Sequence, residues 1–319
     1  MDANQLAPAA NAAIPVSAVP PTETSVLADA ANRRRRIAGI DFDFVIAAEV
    51  ASIIASWRRC GARNYISITN PHSVMVCRRD RAMHEATAGA ALTFPDGVGI
   101  ILAARLLGYG RRYRVTGPNL MLKVCDQGRT YGLRHFFLGG SEGVAQRLAE
   151  RLSTRFSGLL VAGTCTPPFR RLAAGEDQEL VDRISAAAAD VVWVGLGAPK
   201  QEKWMATHVG KIQATTMIGV GAAFDFHSGN AKWAPFWIRK LGLEWAHRFA
   251  LNPRRMWRRN LDSPLFLGIV GWQVLHNTLC RLTGAPNDMP SGLAELAVPA
   301  KTVAAPDSTD ARDWRRVPR

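Results

Sequence analysis

The sequence is short of acids and of paired cysteines. Aspartate and glutamate together number 26 against 40 lysines and arginines, which gives a formal net charge of +14 and a pI near 10.3. A surplus of this size points to an anionic partner: a nucleic acid, a phosphorylated substrate or an acidic membrane surface. The five cysteines, Cys60, Cys77, Cys125, Cys165 and Cys280, stand far apart with no C-x-x-C pair. That pattern argues against a structural zinc site and for a reducing compartment. No uninterrupted apolar run reaches the roughly 18 residues of a spanning helix, and the first residues lack the basic-then-apolar layout of a secretory signal. A cytoplasmic protein is therefore expected. No G-x-x-x-x-G-K-[ST] loop occurs, which removes the P-loop class. No complete G-x-G-x-x-G fingerprint occurs either, which argues against a nicotinamide-dependent oxidoreductase.

What is present is a repeated alternation of strand and helix. Candidate strands are RIAGI at 36–40, YISIT at 65–69, LTF at 92–94, HFFLG at 135–139, GLLVAG at 158–163, DVVWVGL at 190–196 and TTMIGVG at 215–221. Helical patterns fill the gaps, such as the apolar stripe Val50, Ile53, Ile54, Trp57. The pattern predicts an α/β fold, a Rossmann-like parallel sheet sandwiched by helices. Residues 1–36, poor in large apolar side chains and ending in a basic run, are expected to form a disordered tail. The α/β domain is expected over 37–235, and residues 284–319 read as a second flexible tail. Between them, 236–283 is expected to form a helical, Arg- and Trp-rich appendage. Its stretch from Pro264 to Cys280 is suited to lying in a membrane interface or to packing on the body.

Asp96 stands where a short apolar strand meets a helix in which Val98, Ile101, Leu102 and Leu106 recur. A carboxylate there either caps the helix or meets substrate at the strand's carboxyl end. Asp41 and Asp43 in IDFDF imitate a metal-binding D-x-D, but no further ligand completes an oxygen cage nearby; no metal and no cofactor is expected. Gly139-Gly140-Ser141-Glu142 follows a strand and opens a helix, so its amides could cradle a phosphate, or the chain simply turns tightly there. Gly219 and Gly221 carry the same ambiguity. In Gly195-Leu196-Gly197-Ala198-Pro199-Lys200-Gln201-Glu202 the strand end passes through two glycines into a helix. That places Lys200 and Gln201 where a cation and an amide meet an anion or a base, while Glu202 fits a capping role. Arg239, Lys240, Arg248, Arg254, Arg255, Arg258 and Arg259 alternate with Trp237, Trp245 and Trp257. Three readings of that patch compete: a solvated helix face, a nucleic-acid surface and a membrane surface.

Taken together, I-T-N-P-H-S-V at 68–74, P-D-G-V-G at 95–99, R-V-T-G-P-N-L at 114–120, F-L-G-G at 137–140, G-L-G-A-P-K-Q-E-K-W at 195–204, G-V-G-A-A-F-D at 219–225 and A-P-F-W-I-R-K-L-G-L-E-W-A-H-R at 234–248 resemble the WecG/TagA/CpsF family of bacterial glycosyltransferases. The resemblance spans roughly residues 37 to 259. It implies a membrane-associated, inverting enzyme that moves a sugar from a UDP-sugar to an undecaprenyl-diphosphate-linked sugar at the inner face of the cytoplasmic membrane, with no nucleic-acid partner. It implies Asp96 as general base, and Thr69, Asn70, Arg114, Gly139, Gly140, Lys200, Gln201 and Asp225 as substrate-pocket residues. Arg239, Arg248 and Arg255 are the candidates for the appendage arginines that hold the diphosphate. Ile68 stands where the family often has Thr, so the hydroxyl is assigned to Thr69; Asn119 stands where an acid is common. UDP-glucose is the expected donor, in exopolysaccharide assembly. UDP-N-acetylmannosamine or its uronic acid is the alternative, and a basic nucleic-acid-binding protein is the rival from another class.

Overall fold

The computed structural model describes residues 34–283 apart from 111, 112, 171 and 252, and it leaves out the side chains of 248, 255, 256 and 258–260. Nearly all of the first expected tail and the whole of the second thus lie outside the described residues. The described chain opens with a hairpin, β1 (Arg34–Ile37) paired antiparallel with β2 (Ile40–Asp43). This corrects the single strand expected at 36–40 and the tail boundary at 36, since Arg34 to Arg36 belong to β1. The turn is made by Ala38 and Gly39, both at positive φ (51° and 89°), the geometry that matches the twist of a two-residue hairpin. Asp43 is 1% exposed and accepts from Arg34 Nε at 2.8 Å and from the Thr93 amide at 2.8 Å. One member of the apparent D-x-D therefore fastens the hairpin to the body. Among the described residues no group of three or more His, Cys, Asp or Glu could hold a metal ion.

The main sheet has six parallel strands: β3 (Asn64–Thr69), β4 (Leu92–Pro95), β5 (Arg134–Gly139), β6 (Leu160–Cys165), β7 (Val191–Gly195) and β8 (Thr216–Gly219), in the order β4-β3-β8-β7-β5-β6. The central strands are almost continuously apolar, as Val191-Val192-Trp193-Val194 illustrates, because helices cover both faces. The helices are α1 (Val50–Arg59), α2 (Pro71–Arg79), α3 (Arg81–Ala88), α4 (Val98–Leu106), α5 (Gly117–Gln127), α6 (Val144–Arg155), α7 (Ala174–Ala186), α8 (Lys200–His208), α9 (Ala223–Ser228), α10 (Phe236–Leu241), α11 (Glu244–Leu251) and α12 (Pro253–Thr283). From β5 the chain moves outward to the edge strand β6, whereas from β7 it moves inward to β8. The neighbours β5 and β7 thus lead in opposite directions, and a crevice opens at their carboxyl ends.

Two helices depart from the sequence pattern in informative ways. In α4 the buried side chains are Ile100, Ala103 and Ala104, all at 0% exposure, whereas Val98, Leu102 and Leu106 are 40%, 45% and 53% exposed. The periodicity predicted the helix and left open which of its faces the body covers. The second is α12, which packs on the body: Phe266 and Val270 are fully buried. Gln273 accepts from the Ala38 amide at 2.9 Å and donates to the Arg36 carbonyl at 3.1 Å. Among the described residues no helix is long and apolar enough to cross a membrane.

His135 on β5 lies inside the core, with Trp193 Nε1 donating to its Nδ1 at 3.2 Å. Burial pushes its pKa down from 6.5 to about 4. The folded state therefore binds fewer protons than the unfolded chain between those two values. Stability should fall as the pH drops from about 6.5 to about 4, by on the order of 3 kcal/mol, and this group contributes no pH dependence above that window. Urea midpoints at pH 7 and pH 4.5 measure it, and the difference should shrink in His135→Leu.

Candidate active site

Asp96 ends β4. Its amide donates to the Thr69 carbonyl at 2.9 Å, and the preceding Pro95 carbonyl accepts from the Val115 amide at 3.0 Å. The residue at the helix cap position is Gly97, at φ 85°, so Asp96 stands just before the cap of α4. Gly97 and Gly99 also face Pro71: a Cβ on Gly99 would stand 2.7 Å from Pro71 Cγ. The starts of α2 and α4 are thereby pressed together at the rim of β3 and β4.

Asn70 caps α2, its Oδ1 accepting from the Ser73 amide at 3.0 Å and the Ser73 hydroxyl at 3.3 Å. One end of its amide is thus held while the Nδ2 end takes no partner among the described residues. Thr69 is a correction: its side chain is fully buried, and its hydroxyl lies 3.1 Å from that of Ser67. It does not face the rim, and Ile68 is 9% exposed, so neither residue offers a hydroxyl to a ligand there.

Arg114 adjoins Val115 and so stands beside the Asp96 turn. Its Nη2 donates to the Arg239 carbonyl at 2.9 Å, and its Nη1 lies 4.0 Å from the Glu244 carboxylate. Arg239 in turn stacks on Trp233 at 3.8 Å from the ring centroid, with its Nε buried and unpartnered among the described residues. Trp233 Nε1 donates to Glu244 at 3.2 Å. The appendage is therefore latched onto the rim through two arginines, a tryptophan and an acid. No role for Trp233 or Glu244 was assigned from the sequence, because what brings them to the rim is the contact of Arg114 with Arg239 and Glu244, more than a hundred positions away. Arg248 lies on α11 and Arg255 on α12, and their side chains fall outside the described residues.

A second group gathers at the β5/β7 crevice. Gly139 has φ 125°, and a Cβ on it would stand 2.6 Å from the Gly195 carbonyl carbon. Only glycine permits this approach, and Gly140 follows at φ 76° with its amide donating to the Gly195 carbonyl at 3.2 Å. Lys200 opens α8 and is exposed. Gln201 is not at the open rim as expected. It is 5% exposed, its Nε2 donates to Glu202 Oε1 at 2.9 Å, and the same amide abuts Gly219. Glu202, expected to cap, is instead 1% exposed, and burial pushes its pKa up. Asp225 closes a turn, accepting from Asn230 Nδ2 at 2.8 Å. His227, unforeseen in the sequence, meets the Pro118 carbonyl at 2.9 Å, and burial lowers its pKa.

The rim thus brings together Asp96, Asn70, Arg114 and Arg239, while Gly139, Gly140 and Lys200 form a glycine-lined crevice three strand spacings or more from β4, roughly 14 Å away. A parallel α/β sheet with a rim carboxylate, nearby guanidiniums and glycine turns at its strand ends has the parts that a group-transfer enzyme uses. The model of the WecG/TagA/CpsF glycosyl transferase family matches residues 35–279, and the chain belongs to that family and is a glycosyltransferase. Similar proteins include N-acetylglucosaminyldiphosphoundecaprenol N-acetyl-beta-D-mannosaminyltransferases from three bacteria. That of Bacillus subtilis is 30% identical over 63% of this chain and 76% of its own length. That of Bacillus spizizenii is 29% identical over 65% and 78%. That of Staphylococcus aureus is 28% identical over 72% and 89%. These names carry an N-acetylmannosaminyl donor group, so the expectation of UDP-glucose and of exopolysaccharide assembly gains no support from them.

Proposed function

We propose that the protein is an inverting glycosyltransferase that moves an N-acetylmannosaminyl group from a UDP-sugar to N-acetylglucosamine carried on a polyprenyl diphosphate. The observation that carries this reading is the placement of Asp96 at the carboxyl end of β4, with Asn70 capping the adjacent helix and Arg114 beside the same turn. Asp96 accepts the proton of the acceptor hydroxyl as that oxygen attacks the anomeric carbon from the face opposite UDP. The bond from that carbon to UDP breaks, and its electron pair leaves with the diphosphate. Arg114 and Arg239 supply the positive charge that this departure needs, and guanidinium pairs suit phosphate oxygens. The β-linkage in the relatives' names is the product of inversion at an α-configured nucleotide sugar.

The acceptor is a membrane lipid, and the appendage suits work at the inner face of the cytoplasmic membrane. Trp237, Trp245 and Trp257 are each about half exposed (62%, 52% and 49%) and alternate with lysines and arginines, and Trp272 further along is 51% exposed. Indole rings prefer the headgroup level, and each cation near an anionic leaflet contributes about 1 kcal/mol. The test is a panel of radiolabelled UDP-sugars offered with lipid-linked N-acetylglucosamine in vesicles. Label should pass from UDP-N-acetylmannosamine. Transfer from UDP-glucose in its place would overturn the donor assignment, and transfer from none would overturn the enzyme reading.

A further inference from the structure

The outward face of α4 carries large apolar side chains that stay about half exposed. Val98, Leu102 and Leu106 lie four residues apart and form one straight row on the helix, each 40% exposed or more. A helix whose alanines point inward and whose leucines point outward has placed its large apolar groups where a further apolar body will cover them. The row starts two residues after Asp96. It also starts under the appendage, because a Cβ on Gly242, in the turn between α10 and α11, would stand 2.0 Å from Val98 Cγ1. Arg239 is three residues before that glycine and is bonded through its carbonyl to Arg114.

The hydrocarbon row therefore begins between the turn that carries Asp96 and the turn that follows Arg239. A lipid-linked acceptor carries an isoprenoid chain close to the sugar hydroxyl that reacts. We infer that the outer face of α4, at Val98, Leu102 and Leu106, is the subsite for the first isoprene units of the acceptor's chain, an inference that rests on the glycosyl-transfer reading above. Seated there, the chain leads the acceptor sugar to Asp96, at the start of the same helix. Acceptors are then discriminated by the hydrocarbon as well as by the sugar.

The test compares two acceptors, N-acetylglucosamine on a full polyprenyl diphosphate and the same headgroup on a short, water-soluble alkyl diphosphate, with the full-length wild-type protein and with the double variant Leu102→Gln, Leu106→Gln. Both positions are exposed, so the fold tolerates the change. The ratio of kcat/KM for the long-chain over the short-chain acceptor should fall at least tenfold, about 1.4 kcal/mol, with binding to acceptor-free anionic vesicles unchanged. An unchanged ratio overturns the proposal. A parallel loss of binding to acceptor-free vesicles overturns it as well, because the row then touches the bilayer and not the acceptor. If the wild-type protein glycosylates neither acceptor, the enzyme reading fails and takes this inference with it.

Discussion

Replacing Asp96 by Asn lowers turnover by about 10²- to 10⁴-fold, the range that a positioned proton acceptor contributes, and leaves UDP affinity in place. Asn has the same shape and still forms hydrogen bonds, but it cannot take the acceptor's proton. The backbone of the turn is fixed independently of that side chain, by the Asp96 amide on the Thr69 carbonyl and the Val115 amide on the Pro95 carbonyl. In the reading above the diphosphate of UDP is held by Arg114 and Arg239, and Asn at 96 changes neither guanidinium. Single-turnover rates with labelled donor, UDP titration by calorimetry and a thermal melt separate the three quantities. A variant that melts normally, binds UDP and turns over at the wild-type rate removes Asp96 as the base.

The sheet was legible because its strands are buried on both faces and so read as apolar runs; each of the six fell within two residues of its expected bounds at most ends. The hairpin was not legible. Its turn residue Ala38 carries φ 51° without being a glycine or asparagine, so the stretch from Arg34 to Asp43 lacks turn chemistry. On α4, spacing identified a helix but could not say which side the body covers, and the small residues Ala103 and Ala104 took the inner position. Asp96 and Asn70 were legible because a polar residue at the end of an apolar strand has few structural uses. Glu244 and Asp262 were not, because partners reach them from far along the chain: Arg114 is 130 residues from Glu244, and His72 is 190 from Asp262. For Pro264 to Cys280 the sequence left two placements open, a membrane interface or the body, and Phe266 and Val270 are buried in the body.

That last helix is the place for the second large effect. Asp262 is 3% exposed, with Oδ2 at 2.5 Å from His72 Nδ1 and Oδ1 at 2.5 Å from Arg79 Nη2. Both partners are on α2, the helix that Asn70 caps, with His72 in its first turn and Arg79 its last residue, so the triad ties α12 to both ends of that helix. Removing one partner of a buried ion pair costs about 3–5 kcal/mol. Here the cost should sit at the low end, about 3 kcal/mol, because the His72 and Arg79 side chains are 27% and 50% exposed and water can take over part of the lost interaction. In a protein of this size each kcal/mol moves Tm by about 2–4 °C, so Asp262→Ala should melt about 6–12 °C lower. The loss should also be local. Phe266, Val270 and Gln273 still hold the middle of α12, whereas its amides near 262 and those of the first turn of α2 should exchange faster with solvent. Turnover should fall with them, because Asn70 and the Pro71 contact to Gly97 and Gly99 depend on that turn. A Tm shift below about 2 °C with unchanged exchange in both segments would show that the triad is a surface pairing with no part in holding the rim.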